Sequence, residues 1–194
     1  MTVGQQKLMA NNGMEVVCGT GSSTFERDSA AVRDMLKRGL DVLLATAIIV
    51  ALLPLLLVIA ALIWRRDGAP IVYRHTRIGR GGRAFACLKF RTMVRDSDAA
   101  LAKLLAESPA AREEWETYHK LRDDPRILGR VGQLLRRTSL DELPQLWNVL
   151  QGDMSLVGPR PVTHDELFHY GDVVDRYFAP RPALTGPWQV SGRS

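Results

Sequence analysis

The chain has 194 residues, enough for one globular domain with appended segments, and its composition is neither that of a disordered chain nor that of a fibrous one. A net charge of +5 with a pI near 9.6 calls for an anionic partner. No helix-turn-helix, zinc-ligand spacing or aromatic RNA-binding run directs that charge at nucleic acid, so no nucleic-acid partner is expected.

Residues 1 to about 30 hold Asn-Asn-Gly and Gly-Thr-Gly-Ser-Ser with little periodic apolar character, and a mobile tail is expected there. Gly19-Thr20-Gly21 is a weak match to a nucleotide loop, because no strand leads into it and the GxGxxG fingerprint is incomplete. A signal peptide is not expected: the apolar stretch begins late and no small-residue cleavage site closes it. Cys18 lies in this tail and Cys87 in an expected strand, which makes no disulfide framework and fits a reducing compartment.

From Val42 to Trp64 no charged residue interrupts the sequence. As a helix this run would measure about 34 Å, enough to cross a hydrocarbon core of about 30 Å. One spanning helix is the plain reading, but two features favour another. Pro54 near the middle removes a backbone hydrogen bond and bends a helix. Arginine and lysine also flank both ends: Arg33, Lys37 and Arg38 before the run, Arg65, Arg66, Arg74, Arg77, Arg80 and Arg83 after it. Positive flanks mark the cytoplasmic side, so residues 31–66 are expected to enter the membrane, turn at Pro54 and return to the same face.

Beyond that segment the pattern becomes soluble. Ile71-Val72-Tyr73 and Phe85-Ala86-Cys87-Leu88 predict short strands around the turn Gly79-Arg80-Gly81-Gly82. Residues 96 to about 121 predict helix with a break at Pro109, and further helices are expected over Val131–Arg137 and after Ser139. Asp123-Asp124-Pro125 predicts a turn rather than a second acidic site. The stretch from Pro180 to Ser194, rich in Pro and Gly, is expected to be irregular.

Three segments carry candidate chemistry. In Arg136-Arg137-Thr138-Ser139-Leu140-Asp141-Glu142-Leu143-Pro144, Ser139 and Glu142 have capping-box spacing, so a structural role is open beside a catalytic one. Pro144 strains that capping account, and the helix can instead begin a residue or two later. Either start leaves Asp141 and Glu142 at a helix N-terminus, where the macrodipole and the two arginines would keep Asp141 ionised and attract phosphate. In Gly152-Asp153-Met154-Ser155-Leu156-Val157-Gly158-Pro159-Arg160-Pro161, two prolines fix the backbone around Arg160, whose fork suits bidentate phosphate binding. In Leu88-Lys89-Phe90-Arg91-Thr92-Met93, strand alternation puts Lys89 and Arg91 on one face and Phe90 on the other. The plain alternatives are a turn arginine and a solvated strand face. His75, His119, His164 and His169 form no recognisable metal pattern.

Together IVYRHTRIGRGGRAFACLKFRTM, LRRTSLDELPQLWNVLQGDMSLVGPRP and LTGPWQVSGRS resemble the bacterial sugar transferase family, the small monotopic phosphoglycosyl transferases that begin glycan assembly on undecaprenyl phosphate. The likeness covers about residues 31 to 194 and extends to the anchor, since that family uses a proline-broken re-entrant helix. It implies an α/β, largely helical catalytic domain over residues 67–194, lying at the cytoplasmic face of the bacterial inner membrane. It also implies a reaction in two steps, in which Asp141 attacks the β-phosphate of a UDP-sugar, releasing UMP, and polyprenyl phosphate then takes the phospho-sugar. Glu142 matches the second acid of the dyad, as a Mg²⁺ ligand with Asp141 beside it or as a proton acceptor. Lys89 and Arg160 match positions that hold substrate phosphates, and Arg91 and Arg137 complete the candidate set. The expected partners are UDP-sugar, polyprenyl phosphate and membrane lipid, with homo-oligomerisation left open. Family members ordinarily continue for some tens of residues past the WQVSGRS-like segment, so a fragment, or a form of reduced activity, is expected here. The rival readings are a membrane adaptor whose acidic dyad is only a cap, and a lipid-phosphate phosphatase.

Overall fold

The computed structural model describes residues 21–190. Two compact units divide the chain after Lys37. The described part of the first is the beginning of one long helix, α1 (Gly21–Asp67). Residues 21–30, expected as tail, are therefore helical; no proline interrupts them, and Gly21 is the last glycine before Gly39. Residues 1–20, and Cys18 with them, lie outside the described residues, as do residues 191–194.

The second unit, Arg38–Ser194, holds the rest of α1 and a largely helical domain. Its described elements are β1 (Val72–Ile78), β2 (Ala84–Phe90), α2 (Ser97–Glu107), α3 (Pro109–Tyr118), α4 (Gly129–Thr138), α5 (Gln145–Gln151), β3 (Ser155–Val157), α6 (Val174–Phe178), β4 (Ala183–Thr185) and α7 (Pro187–Val190). β1 and β2 form the expected antiparallel hairpin, with Ile78 opposite Ala84 and Val72 opposite Phe90. β3 and β4 pair in parallel, so part of the stretch expected to be irregular after Pro180 is strand. Three residues per strand, one of them next to Pro182, give too short an alternation to read. Pro109 does separate two helices: Ser108 accepts a hydrogen bond from the Ala111 N–H and caps α3, with Pro109 at the first helical position.

From Ala31 to Asp67, α1 is long and apolar enough to cross a membrane. It runs through Pro54 as a single helical element, in which Pro54 deprives the Val50 carbonyl of its helical donor. Within the second unit the helix docks through a single stripe. Asp41, Ala45, Ile59 and Ile63 are buried, and Ile49, Leu52, Leu56 and Asp67 are partly covered, at the spacing of three and four residues that one helix face requires. Ala45 packs with Cys87, Leu146, Val149 and Met154, while Ile59 and Ile63 pack with Phe90, Leu128 and Leu135. Leucines and valines on the remaining faces, Leu43, Val50, Leu57 and Val58 among them, are exposed.

Both ends of the apolar segment are tied to the same domain by polar groups. At one end Arg38 donates to the Val149 and Leu150 carbonyls at the C-terminus of α5, and Asp41 accepts from the Ser155 hydroxyl (2.7 Å) and the Leu156 N–H (3.1 Å). At the other, Gly68 takes the left-handed φ of 64° that ends a helix, where a side chain would meet Arg95. Arg91 and Arg95 there donate to the Asp67 carboxylate and carbonyl, and Arg91 also to the Gly68 carbonyl (2.7 Å). Cations on the last carbonyls of a helix satisfy acceptors that have no partner of their own and favour its dipole.

Candidate active site

The acidic pair sits in a turn held from behind. α4 ends at Thr138, and Ser139 adopts a left-handed conformation (φ 58°) that reverses the chain. A non-glycine residue there costs on the order of 1 kcal/mol or more, and such strain persists only where the surroundings impose it. Leu140–Glu142 then form one 3₁₀ turn, and α5 begins after Pro144, where a missing N–H is harmless. Leu140 and Leu143 pack into the core, which leaves Asp141 and Glu142 between them on the outer side. The expected capping box is not formed: the Ser139 side chain caps nothing, and the Glu142 carboxylate turns to Lys89. The left-handed Ser139 separates the turn from α4 and removes the geometry that a box needs.

Asn148 of α5 sets the distance between this turn and β2. Fully buried, it accepts from the Leu88 N–H (2.9 Å) and donates to the Ala86 carbonyl (2.8 Å), as a neighbouring strand would. Lys89, on the same strand, then reaches Glu142 with Nζ 2.7 Å from Oε1. The opposing wall is the Gly158-Pro159-Arg160-Pro161 loop. It is fixed to β1 by an Ile78–Val162 bridge, which the Tyr177 hydroxyl spans by accepting from Val162 N–H and donating to the Ile78 carbonyl. At its start the loop meets β4 closely: a Cβ on Gly158 would lie 2.9 Å from the Arg181 carbonyl, so only glycine fits without a shift.

Between these walls lies an open cavity of about 640 Å³, in the range of small-ligand sites. Arg77, Lys89, Arg136 and Arg160 face it against two carboxylates, Asp141 and Glu142. Gln145, Trp188 and Gln189 complete a side suited to stacking and hydrogen bonding. No side chain among the described residues bonds to the Asp141 carboxylate. Burial pushes its pKa up, Lys89 opposes that, and Glu142 adds to it. The expectation that a helix N-terminus would favour its ionised form is thus corrected: the 3₁₀ turn and Pro144 separate Asp141 from α5, and desolvation dominates. Burial also drives the Cys87 thiol in the cavity wall to about 11, which keeps it protonated and unreactive.

Of the expected site residues, Asp141, Glu142, Lys89 and Arg160 converge on this cavity, whereas Arg91 and Arg137 do not line it. β2 ends at Phe90, so alternation no longer governs Arg91, which is buried against the end of α1. Arg137 points outward on α4 and its neighbour Arg136 takes the cavity, since Leu135 fixes the helix phase by burial. Arg77 was missed, although the hairpin register puts it on the face of β1 that sits opposite Phe85, Cys87 and Lys89. Glu166 was missed too; its signal was the capping-box spacing Thr163-x-x-Glu166.

The site is thus a turn-borne acidic pair in a basic, open cavity, within a domain that packs on a long apolar helix. The bacterial sugar transferase family matches residues 32–194, and the chain belongs to that family. It is similar to the UDP-galactose-lipid carrier transferase of Erwinia amylovora, at 54% identity over 159 residues, covering 82% of this chain and 33% of the relative. It is also similar to the undecaprenyl-phosphate galactose phosphotransferase of Salmonella typhimurium, at 52% identity, covering 82% of this chain and 33% of the relative. The exopolysaccharide production protein ExoY of Sinorhizobium fredii is 51% identical, over 81% of this chain and 70% of its own length. The chain therefore spans about a third of the two longer relatives and most of the shorter one.

Proposed function

We propose that the protein transfers a phospho-sugar from a UDP-sugar to polyprenyl phosphate, releasing UMP, as an early membrane step of exopolysaccharide or related glycan assembly. The observation that carries the reading is Asp141: a half-buried carboxylate with no side-chain hydrogen-bond partner among the described residues, on the wall of a cavity where four basic side chains gather. A carboxylate held for structure would be paired; one held back from pairing is available as a nucleophile. The relatives' names supply the substrate classes, a UDP-linked sugar in one and undecaprenyl phosphate in another.

In this reading a carboxylate oxygen of Asp141 forms a bond to the β-phosphorus of the donor, and the bond to the bridging oxygen breaks. UMP leaves with that electron pair, and an aspartyl phospho-sugar remains. A phosphate oxygen of the polyprenyl phosphate then bonds to the same phosphorus and returns the Asp141 carboxylate, giving a polyprenyl diphosphate sugar. Lys89, Arg77, Arg136 and Arg160 bind the phosphates and offset charge that develops on the leaving group. Glu142, paired with Lys89, keeps that ammonium beside the acidic turn.

The site fits Mg²⁺ in one way. No group of three or more ligating side chains occurs among the described residues, whereas Mg²⁺ commonly takes one or two carboxylates and completes its shell with water and substrate phosphates. Asp141 and Glu142 are the carboxylates that would hold it, and bound there it would neutralise diphosphate charge.

The reaction joins a water-soluble donor to a lipid acceptor, so the cavity must lie at the interface. Support for a re-entrant anchor comes from Arg38 and Asp41 at one end of the apolar segment and Asp67 at the other, all bonded to one domain. A helix crossing to the far side would carry one of those ends away from it. Basic residues at both ends favour the cytoplasmic face. The test is UMP release by the purified membrane protein from a panel of UDP-sugars, with and without polyprenyl phosphate. Release that depends on a UDP-sugar supports the reading, and none from any donor refutes it, leaving the adaptor or phosphatase alternative.

A further inference from the structure

Glu166 has two roles where its position calls for one. Thr163 and Glu166 form a reciprocal capping box: the Glu166 N–H donates to Thr163 Oγ1 (3.3 Å), and Glu166 Oε2 accepts from the Thr163 N–H (2.7 Å). A capping glutamate ordinarily ends there, with its second oxygen in water. Here Oε2 also accepts from Arg77 Nη1 (2.7 Å), and Oε1 lies 3.3 Å from Arg160 Nη2. One carboxylate thus spans two arginines from different parts of the chain, β1 and the Gly158-Pro159-Arg160-Pro161 loop, and both face the cavity.

The two arginines differ in how much they need that support. The Arg77 side chain is 14% exposed and is also fixed by donating to the Pro161 carbonyl (3.3 Å). Arg160 is 54% exposed, and among the described residues its side chain pairs with Glu166 alone. Without the carboxylate, two like charges would repel each other and the outer one would be free to turn into solvent. Burial pushes the Glu166 pKa up, but the Thr163 N–H, Arg77 and Arg160 outweigh it, so the group stays ionised and the bridge persists at neutral pH.

We propose that Glu166 is a positioning residue that holds Arg77 and Arg160 at the spacing needed to receive a diphosphate, so that the site distinguishes nucleoside diphosphate from monophosphate. The proposal rests on the phosphoglycosyl transfer reading and adds to it the element that would select a diphosphate donor over the UMP product. Such selection suits turnover, since the product would bind less tightly than the donor that replaces it. The bridge contributes little to stability, because a pair with one half-exposed partner is worth little. Its effect is on geometry.

The test is Glu166→Asp in the whole membrane protein, since it keeps the charge but is one methylene too short to reach both arginines. Affinities for UDP and UMP are measured by calorimetry on the wild type, on Glu166→Asp, on Arg160→Ala and on the double variant. The wild type should bind UDP tighter than UMP, and Glu166→Asp should narrow that ratio by about tenfold, the size of one charge-assisted contact. In the Arg160→Ala background the same change should move the ratio by less than about twofold, because the two residues act as a unit. A purely structural role would lower the bound fraction for both nucleotides and leave the ratio alone, and that result would overturn the proposal. So would equal wild-type affinities for UDP and UMP. A wild type that prefers UDP and loses the preference in Glu166→Asp, yet releases no UMP from any UDP-sugar, would refute the transfer reaction and retain the diphosphate site.

Discussion

Arginine serves this domain in two places in opposite ways. At the ends of the apolar helix, Arg38, Arg91 and Arg95 direct their donors to backbone carbonyls and to Asp67. Around the cavity, Arg77 and Arg160 share one carboxylate, and Arg136 faces the opening. The first set closes helix termini that would otherwise be buried with unsatisfied acceptors. The second faces a cavity beside Asp141, a carboxylate that no side chain among the described residues hydrogen-bonds. The anchor cations spend most of their donors on helix ends, Arg91 Nε being the buried exception, and those of the site face a cavity.

The largest expected effect separates the two regions at Asp141. Asp141→Asn should lower turnover on the order of a thousandfold or more while the melting temperature does not fall, since the amide is nearly the same size and carries no desolvated charge. The sign with pH follows from the raised pKa. The folded state holds the Asp141 proton more tightly than the unfolded one, so wild-type stability falls relative to Asn as pH rises from the ordinary value of 3.8 through the raised one. Activity needs the ionised form and should therefore rise across an acid limb lying above the ordinary aspartate range. A stability advantage of Asn that did not grow over that window would contradict the assigned burial.

Arg91→Ala tests the other region. It strips a buried ion pair of one partner and should cost about 3 kcal/mol in chemical unfolding, with turnover per folded molecule retained. A stable Arg91→Ala protein that had lost UDP affinity would put Arg91 back among the substrate ligands. Arg160→Ala should lower kcat/KM about ten- to hundredfold with little change in stability, and Arg160→Lys should recover only part, because an ammonium lacks the planar fork. Smallest is Arg137→Ala, expected within about twofold of wild type, whereas Arg136→Ala should fall below it. Equal losses at both positions would contradict the phase that places Arg136 in the cavity.

Most of this organisation is written locally in the sequence. The hairpin followed from apolar runs around Gly79-Arg80-Gly81-Gly82, and the helix pair around Pro109 from a proline that suits a first turn. Asp141, Glu142, Lys89 and Arg160 were found because motif and chemistry coincide in short segments. What failed depended on distant partners. Arg91 reads like Lys89 until the end of α1 arrives beside it, and the capping box at Ser139 reads well until Lys89 claims Glu142. Glu166 shows the reverse case, a local pattern that is formed but also reaches two residues, one of them 89 positions away. The stripe from Asp41 to Asp67, spaced by three and four residues on one helical face, was likewise invisible in a segment where nearly every residue is apolar.

The central claim is that Asp141 becomes covalently linked to the phospho-sugar, and mass spectrometry of the protein after exposure to UDP-sugar and Mg²⁺ without lipid acceptor tests it most directly. The account predicts one phospho-sugar mass on the peptide carrying Asp141, removed when polyprenyl phosphate is added and absent from Asp141→Asn. An unmodified Asp141 peptide in a protein that releases UMP, or an Asp141→Asn protein that transfers phospho-sugar at the normal rate, would contradict it.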